Sequence, residues 1–127
     1  MASTVITEAN FNETLESNPI VILDFWASWC GPCKNFAPVF EAASERHTDI
    51  VFGKIDTDAE QSLANAFGIR SIPTLMVIRD KIMVYRESGA MPAGPFEQLI
   101  TQIRALDMDE VRADILAQEE GDPDAPG

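Results

Sequence analysis

The order of periodic segments in this chain predicts an α/β domain built on a central mixed sheet of about five strands, parallel in part, with helices on both faces. Three observations carry that expectation. Strand-like and helix-like runs alternate through the first half of the chain. The run Ile20-Val21-Ile22-Leu23-Asp24-Phe25-Trp26 is apolar on both alternating faces, as a strand covered on both sides should be. Finally, Leu75-Met76-Val77-Ile78 and Ile82-Met83-Val84-Tyr85 are separated only by a turn around Asp80, so they should close as an antiparallel hairpin.

In chain order, Val5 and Ile6 read as a short first strand, and Thr7 is placed to cap a helix whose Phe11 and Leu15 share a face at i, i+4 spacing. Asn18-Pro19 ends that helix before the central strand. From Pro32 a helical pattern sets Phe36, Val39, Phe40 and Ala43 on one side and Lys34, Glu41 and Glu45 on the other, with a kink expected at Pro38. Ile50 to Asp56 reads as a strand, and Glu60 to Phe67 as a short helix stopped by Gly68. The hairpin follows. After a loop over Gly89 to Gly94, Pro95 suits the first turn of a helix carrying Phe96, Leu99, Ile100, Ile103 and Leu106. The predicted order is β-α-β-α-β-α-β-β-α.

Two domain-level segments are expected: a folded domain over 1–106 and an acidic C-terminal extension over 107–127. Met108, Val111 and Ile115 form a stripe rotated by roughly 110° from the Phe96 to Ile103 stripe, so one straight helix cannot place both on the same core. Asp107 followed by Glu110 has the form of a capping box, which predicts a separate helix over about residues 108–119, stopped by Gly121 and followed by a disordered end.

The 127 residues are enough for one domain to bury its own core, and no apolar run approaches the roughly 18–20 residues of a membrane span. A soluble protein is expected, and the N-terminal residues lack the charged and apolar regions of a secretory signal, so the expected location is cytoplasmic. Of the formal net charge of −12, residues 107–127 carry −7, with eight acids against Arg112 alone. That balance speaks against nucleic acid or anionic membrane as partners, since both require clustered Lys and Arg. The acidic end reads most simply as a solvated tail.

Both cysteines of the chain lie in Trp29-Cys30-Gly31-Pro32-Cys33, at the junction of a strand and a helix. Spaced at i and i+3, they have Cα atoms close enough to bond. A zinc half-site would need further ligands, and the chain offers no other Cys and only His47, so no metal site is expected. A purely structural crosslink would close too small a loop to stabilise much by entropy. A reversible dithiol fits best. Cys30, at the positive end of the helix, should form the thiolate and attack while exposed; Cys33, one turn inside and shielded, should resolve. Asp24 interrupts the apolar strand. Burial should raise its pKa and let it exchange a proton near neutrality, the alternative being a carboxylate satisfied by structural hydrogen bonds.

Trp29-Cys30-Gly31-Pro32-Cys33-Lys34, preceded by Asp24-Phe25-Trp26-Ala27 and followed by Pro38, resembles the thioredoxin family, as do Ile72-Pro73-Thr74 and Gly89-Ala90. The resemblance spans about residues 5–106. Asn35-Phe36-Ala37-Pro38, the run from Phe67 to Thr74, and Pro92 with Pro95-Phe96 are similar to the second bacterial thioredoxin type, whose N-terminal zinc ribbon has no counterpart in this sequence. The resemblance implies a thioredoxin fold and a protein-disulfide reductase, with Cys30 as nucleophile and Cys33 as resolving thiol. It implies that Asp24 is the base assisting Cys33 and that Lys54, otherwise readable as an edge lysine in solvent, pairs with it. Pro73 would be a cis-proline opposite the cysteines, and Trp29, Gly31, Pro32, Ile72, Gly89 and Ala90 would form an apolar rim for partners. Phe25 and Trp26 read as packing residues.

The same resemblance implies no bound cofactor. The Cys30–Cys33 disulfide would be recharged by a thioredoxin reductase, a flavoprotein using NADPH, and the other partners would be disulfide-containing substrate proteins, met by a monomer. Asp80-Lys81 stands where the family often has Asn-Gly, which leaves the hairpin turn type open. Two alternatives remain at this stage. One is a disulfide isomerase or oxidase, against which Gly31-Pro32 speaks because it resembles the reducing members. The other is a non-catalytic assembly or chaperone role using the fold and its acidic tail.

Overall fold

The computed structural model describes residues 2–121. They form β1 (Thr4–Val5), α1 (Phe11–Ser17), β2 (Ile20–Trp26), α2 (Gly31–Arg46), β3 (Val51–Asp56), α3 (Gln61–Ala66), β4 (Thr74–Arg79), β5 (Ile82–Ser88), α4 (Ala93–Ala105) and α5 (Met108–Gly121). The strands make one sheet in the order β1-β3-β2-β4-β5. β3 pairs in parallel with both β1 and β2, whereas β4 runs antiparallel to β2 and to β5. The mixed five-stranded sheet is therefore the one the sequence predicts.

β2 is central because neither of its faces tolerates water. Ile20 and Ile22 point into a core closed by Phe36, Phe40 and Ala43 of α2 and by Phe96, Leu99, Ile100 and Ile103 of α4. Val21, Leu23 and Phe25 point into the opposite core, against Phe11 of α1 and Leu63 of α3. Period-two alternation thus carries Asp24, two residues after Ile22, onto the α2 side of the sheet. Gly53 makes the first strand possible: a Cβ there would lie 2.5 Å from Ile6 Cγ1 and 3.0 Å from Leu23 Cδ2.

One local feature differs from the sequence expectation, and two others add detail to it. Thr7 does not begin α1. It closes a reciprocal turn instead, its amide donating to Asn10 Oδ1 at 2.8 Å, and Asn10 then occupies the N-cap position. The β4–β5 turn has positive φ at both Asp80 (51°) and Lys81 (68°), the conformation Asn-Gly would take in a two-residue hairpin. Tertiary bonds hold it there: the Asp80 amide donates to Pro19 O at 2.8 Å and Lys81 Nζ reaches Glu16 at 2.9 Å. Finally, α2 runs through Pro38 as a single element to Arg46.

α5 starts at Met108, with the Asp107 carboxylate accepting from the amides of Asp109 (3.0 Å) and Glu110 (3.2 Å). Met108 is buried, whereas Ile115 and Leu116 are exposed. The helix is thus anchored at its start, and further along Arg112, Ile115 and Leu116 line a groove with Ile82 of β5. Of the end expected to be disordered, residues 122–127 lie outside the described residues.

Candidate active site

α2 begins where β2 delivers the chain to the end of the sheet. Cys30 is its N-cap, in extended conformation, and Pro32 in the first turn needs no amide partner. Cys30 and Cys33 are joined by a disulfide, their Cα atoms 5.3 Å apart. The amide of Cys33 donates to Cys30 Sγ at 3.2 Å, so the sulfur at position 30 occupies the place of a capping oxygen. A negative charge on that sulfur would meet both this donor and the positive end of a 16-residue helix.

The expected contrast in exposure is not present in the disulfide form: Cys30 is 4% exposed and Cys33 3%. The cause is packing. Ala27, Trp26 and Ile72 close around both sulfurs, and Cys30 Sγ lies 3.7 Å from the carbonyl oxygen of Ile72. A disulfide sulfur has no proton to donate, so this is a contact rather than a hydrogen bond. The asymmetry of the pair lies in position, with Cys30 at the cap and against the 72–73 loop.

Asp24 is completely buried on the face that leads toward this cluster, one alternation before Trp26. Its partner across the parallel β2–β3 ladder is Lys54, whose Nζ lies 3.9 Å from Oδ2. Since β3 is flanked by β1 and β2, Lys54 is not on an edge strand, and its ammonium also sits 5.0 Å from the Trp26 ring centroid. Neither carboxyl oxygen of Asp24 has a hydrogen-bond partner among the described residues. Burial raises its pKa to about 6, and the positive charge of Lys54 acts in the opposite direction.

The third component is the loop between α3 and β4. The Ile72–Pro73 peptide bond is cis, and Pro73 O accepts from the Gly89 amide at 2.8 Å. This bond brings the end of β5 beside the start of β4. Trp29, Gly31, Pro32, Gly89 and Ala90 are exposed, Ile72 is half-buried, and Pro73 is buried. Trp29 is 68% exposed, yet its indole is fixed by donation from Nε1 to Asp58 Oδ2 at 2.9 Å. Sequence reasoning misses Asp58, because nothing in its local turn announces a partner 29 positions earlier. It misses Arg86 too, whose guanidinium donates to Phe67 O and Gly68 O. His47, read as a residue near a helix end, is the C-cap of α2 and bonds Glu97 at 2.8 Å.

Two sulfurs that can be joined or separate, with the Ile72 backbone beside them, can accept or donate an electron pair by exchange with another disulfide. The fold and the site define a thiol–disulfide oxidoreductase with a redox-active disulfide. Comparison with known proteins gives the family: the Thioredoxin family model matches residues 2–104, and the chain belongs to the thioredoxin family. Over 120 residues it is 52% identical to the Streptomyces coelicolor protein described as "Putative thioredoxin 2", covering 94% of this chain and 90% of that one. It is 46% identical over 91 residues to a thioredoxin of Mycobacterium tuberculosis, covering 70% and 78%.

Solved structures agree on the fold. A thioredoxin of Plasmodium falciparum superposes with a TM-score of 0.72 at 36% identity, over 78% of this chain and 97% of that one. A mutant thioredoxin from Halobacterium salinarum gives 0.75 at 33% identity, over 84% and 98%. As a thioredoxin-family member with this Cys-x-x-Cys pair, the protein is a protein-disulfide reductase.

Proposed function

We propose the following division of labour for the reductase reaction. The Cys30 thiolate attacks one sulfur of a substrate disulfide, forming a mixed disulfide and releasing the other substrate sulfur as thiolate. Cys33, after losing its proton to Asp24, attacks Cys30 Sγ; the Cys30–Cys33 disulfide forms and the second substrate sulfur leaves. Lys54 limits how far burial raises the Asp24 pKa and so keeps the acid–base exchange near neutral pH. The observation that carries this reading is the Cys30 sulfur at the α2 cap, accepting from the Cys33 amide at 3.2 Å and lying 3.7 Å from Ile72 O.

The substrate segment lies in extended form along Ile72-Pro73, with Trp29, Gly31, Pro32, Gly89 and Ala90 as the apolar rim. Partners are disulfide-containing proteins and a thioredoxin reductase, whose flavin passes two electrons from NADPH to the Cys30–Cys33 disulfide. The protein works as a monomer in the cytoplasm. Residues 107–127 act as an extension separate from the catalytic domain at 1–106.

Reduction of insulin disulfides with NADPH and a thioredoxin reductase tests the assignment. Wild type should turn over, Cys30→Ser should be inactive, and Cys33→Ser should accumulate a mixed disulfide on Cys30 visible by mass spectrometry. A mixed disulfide accumulating on Cys33 in the Cys30→Ser variant, with none forming on Cys30 in Cys33→Ser, would reverse the roles.

A further inference from the structure

We infer that Arg86 is a positioning residue for substrate docking, acting by fixing the loop that carries Ile72 and Pro73. The inference rests on the reading that a partner segment pairs with the Ile72-Pro73 backbone.

The loop leaves α3 through a Schellman turn. Gly68, at φ 61°, donates its amide to Asn65 O at 3.0 Å, and the Ile69 amide donates to Ala64 O at 2.9 Å. That motif satisfies carbonyls inside α3. It leaves the carbonyls of Phe67 and Gly68 directed away from the helix, and those are the two that Arg86 takes, Nη1 to Phe67 and Nη2 to Gly68 at 3.1 Å. A planar guanidinium can bridge two neighbouring carbonyls in one fixed geometry; an ammonium is a single point with no such fork.

Arg86 belongs to β5, opposite Met76 of β4. Three residues later the same strand end supplies the Gly89 amide to Pro73 O. β5 therefore holds the 67–73 loop at both ends, by a side chain where the loop begins and by backbone where it enters β4. Between these ties sits Ile72, packed on the two cysteines. Arg86 is itself exposed, so its aliphatic burial contributes little to the core. Its bonds order a docking edge before any partner arrives, and preordering lowers the entropic cost of binding an extended segment.

The test compares wild type with Arg86→Ala, Arg86→Lys and Ile72→Ala, using insulin and the small substrate hydroxyethyl disulfide. Arg86→Ala should raise KM for insulin about fivefold with kcat and hydroxyethyl disulfide reduction within about twofold of wild type, because a small disulfide needs no strand pairing. Arg86→Lys should fall between, and amide exchange over residues 68–72 should accelerate in Arg86→Ala. A merely stabilising arginine would lower the melting temperature and leave KM unchanged. If Ile72→Ala raises KM while Arg86→Ala does not, the role of Arg86 is overturned and the docking edge stands. If neither raises it, both fall. Parallel loss of insulin and hydroxyethyl disulfide reduction would also overturn the proposal, since the defect would then lie at the dithiol.

Discussion

Asp24 and Lys54 face each other across the parallel β2–β3 ladder at 3.9 Å, too far for a hydrogen bond and close enough for charge to act. The acid is therefore moderated by its neighbour without being neutralised. A hydrogen-bonded ion pair would hold Asp24 ionised at all ordinary pH, and an isolated buried acid would stay protonated well above neutrality. The intermediate arrangement leaves its pKa at about 6.

That value makes Asp24 a destabilising group at neutral pH. An acid with a folded pKa of about 6 and an ordinary value of 3.8 binds more protons folded than unfolded between those limits. Stability should thus fall as pH rises through that window and stay lowered above it, by about 3 kcal/mol at most. Asp24→Asn should be more stable than wild type by that order at about pH 8 and nearly equal at about pH 4, in urea denaturation of the oxidised proteins. A gain independent of pH would show that desolvation of the charge is not its source.

Removing Lys54 deletes the influence that lowers the Asp24 pKa. Lys54→Met, which keeps the aliphatic length beside Trp26, should move the Asp24 titration upward as followed by carbon NMR of the carboxyl group. The pH at which Cys33 resolves a mixed disulfide should rise with it. An unmoved carboxyl titration would mean that the 3.9 Å pair carries no electrostatic weight.

Which of these relationships the sequence discloses depends on their range. β2 is legible because its hydrophobicity is local and continuous, and the cysteine pair because its spacing and its place after a strand are local too. Asp24 stands out as a charge among apolar neighbours. The contacts of Asp58 with Trp29 and of Arg86 with Phe67 and Gly68 join residues on different elements, and their side chains are of types ordinarily given to solvent. The Asp80-Lys81 turn is obscured for the same reason, since contacts from Pro19 and Glu16 hold a conformation those residues do not favour alone. The burial of Cys30 escapes a local reading because it comes from Ile72, 42 positions away.

Arg79 shows the same long-range logic in a purely structural setting. At the end of β4 it donates to Ile103 O at 2.6 Å, which also accepts from the Leu106 amide at 3.3 Å, and to Leu106 O at 2.7 Å, tying β4 to the C-terminal end of α4. Arg79→Ala should cost about 1–3 kcal/mol in denaturant unfolding, and Arg79→Lys less. Insulin reduction should be unaffected below the unfolding transition. A loss under about 0.5 kcal/mol, the size of an ordinary surface change, would mean that water replaces the guanidinium without penalty.

The extension offers a test of separateness. α5 meets the domain most closely through buried Met108 and through Arg112, which lies 3.5 Å from Asp80 at the β4–β5 turn, while Ile115 and Leu116 line a groove with Ile82 beside that turn. That turn is at the far end of β4 from Pro73, and a six-residue strand puts roughly 20 Å between its ends. Removing residues 107–127 deletes one buried methionine contact, worth about 1.5–3 kcal/mol, and at the same time removes seven of the twelve net negative charges, whose mutual repulsion opposes compaction. The two effects have opposite signs. The truncated protein should therefore lose less stability than Met108→Ala in the full chain at low salt, and the difference should shrink as added salt screens the repulsion. Insulin reduction should stay within about twofold of the full chain, since neither contact reaches the dithiol. A marked rise in KM on truncation would place the acidic segment in partner docking and end the view that it is separate from catalysis.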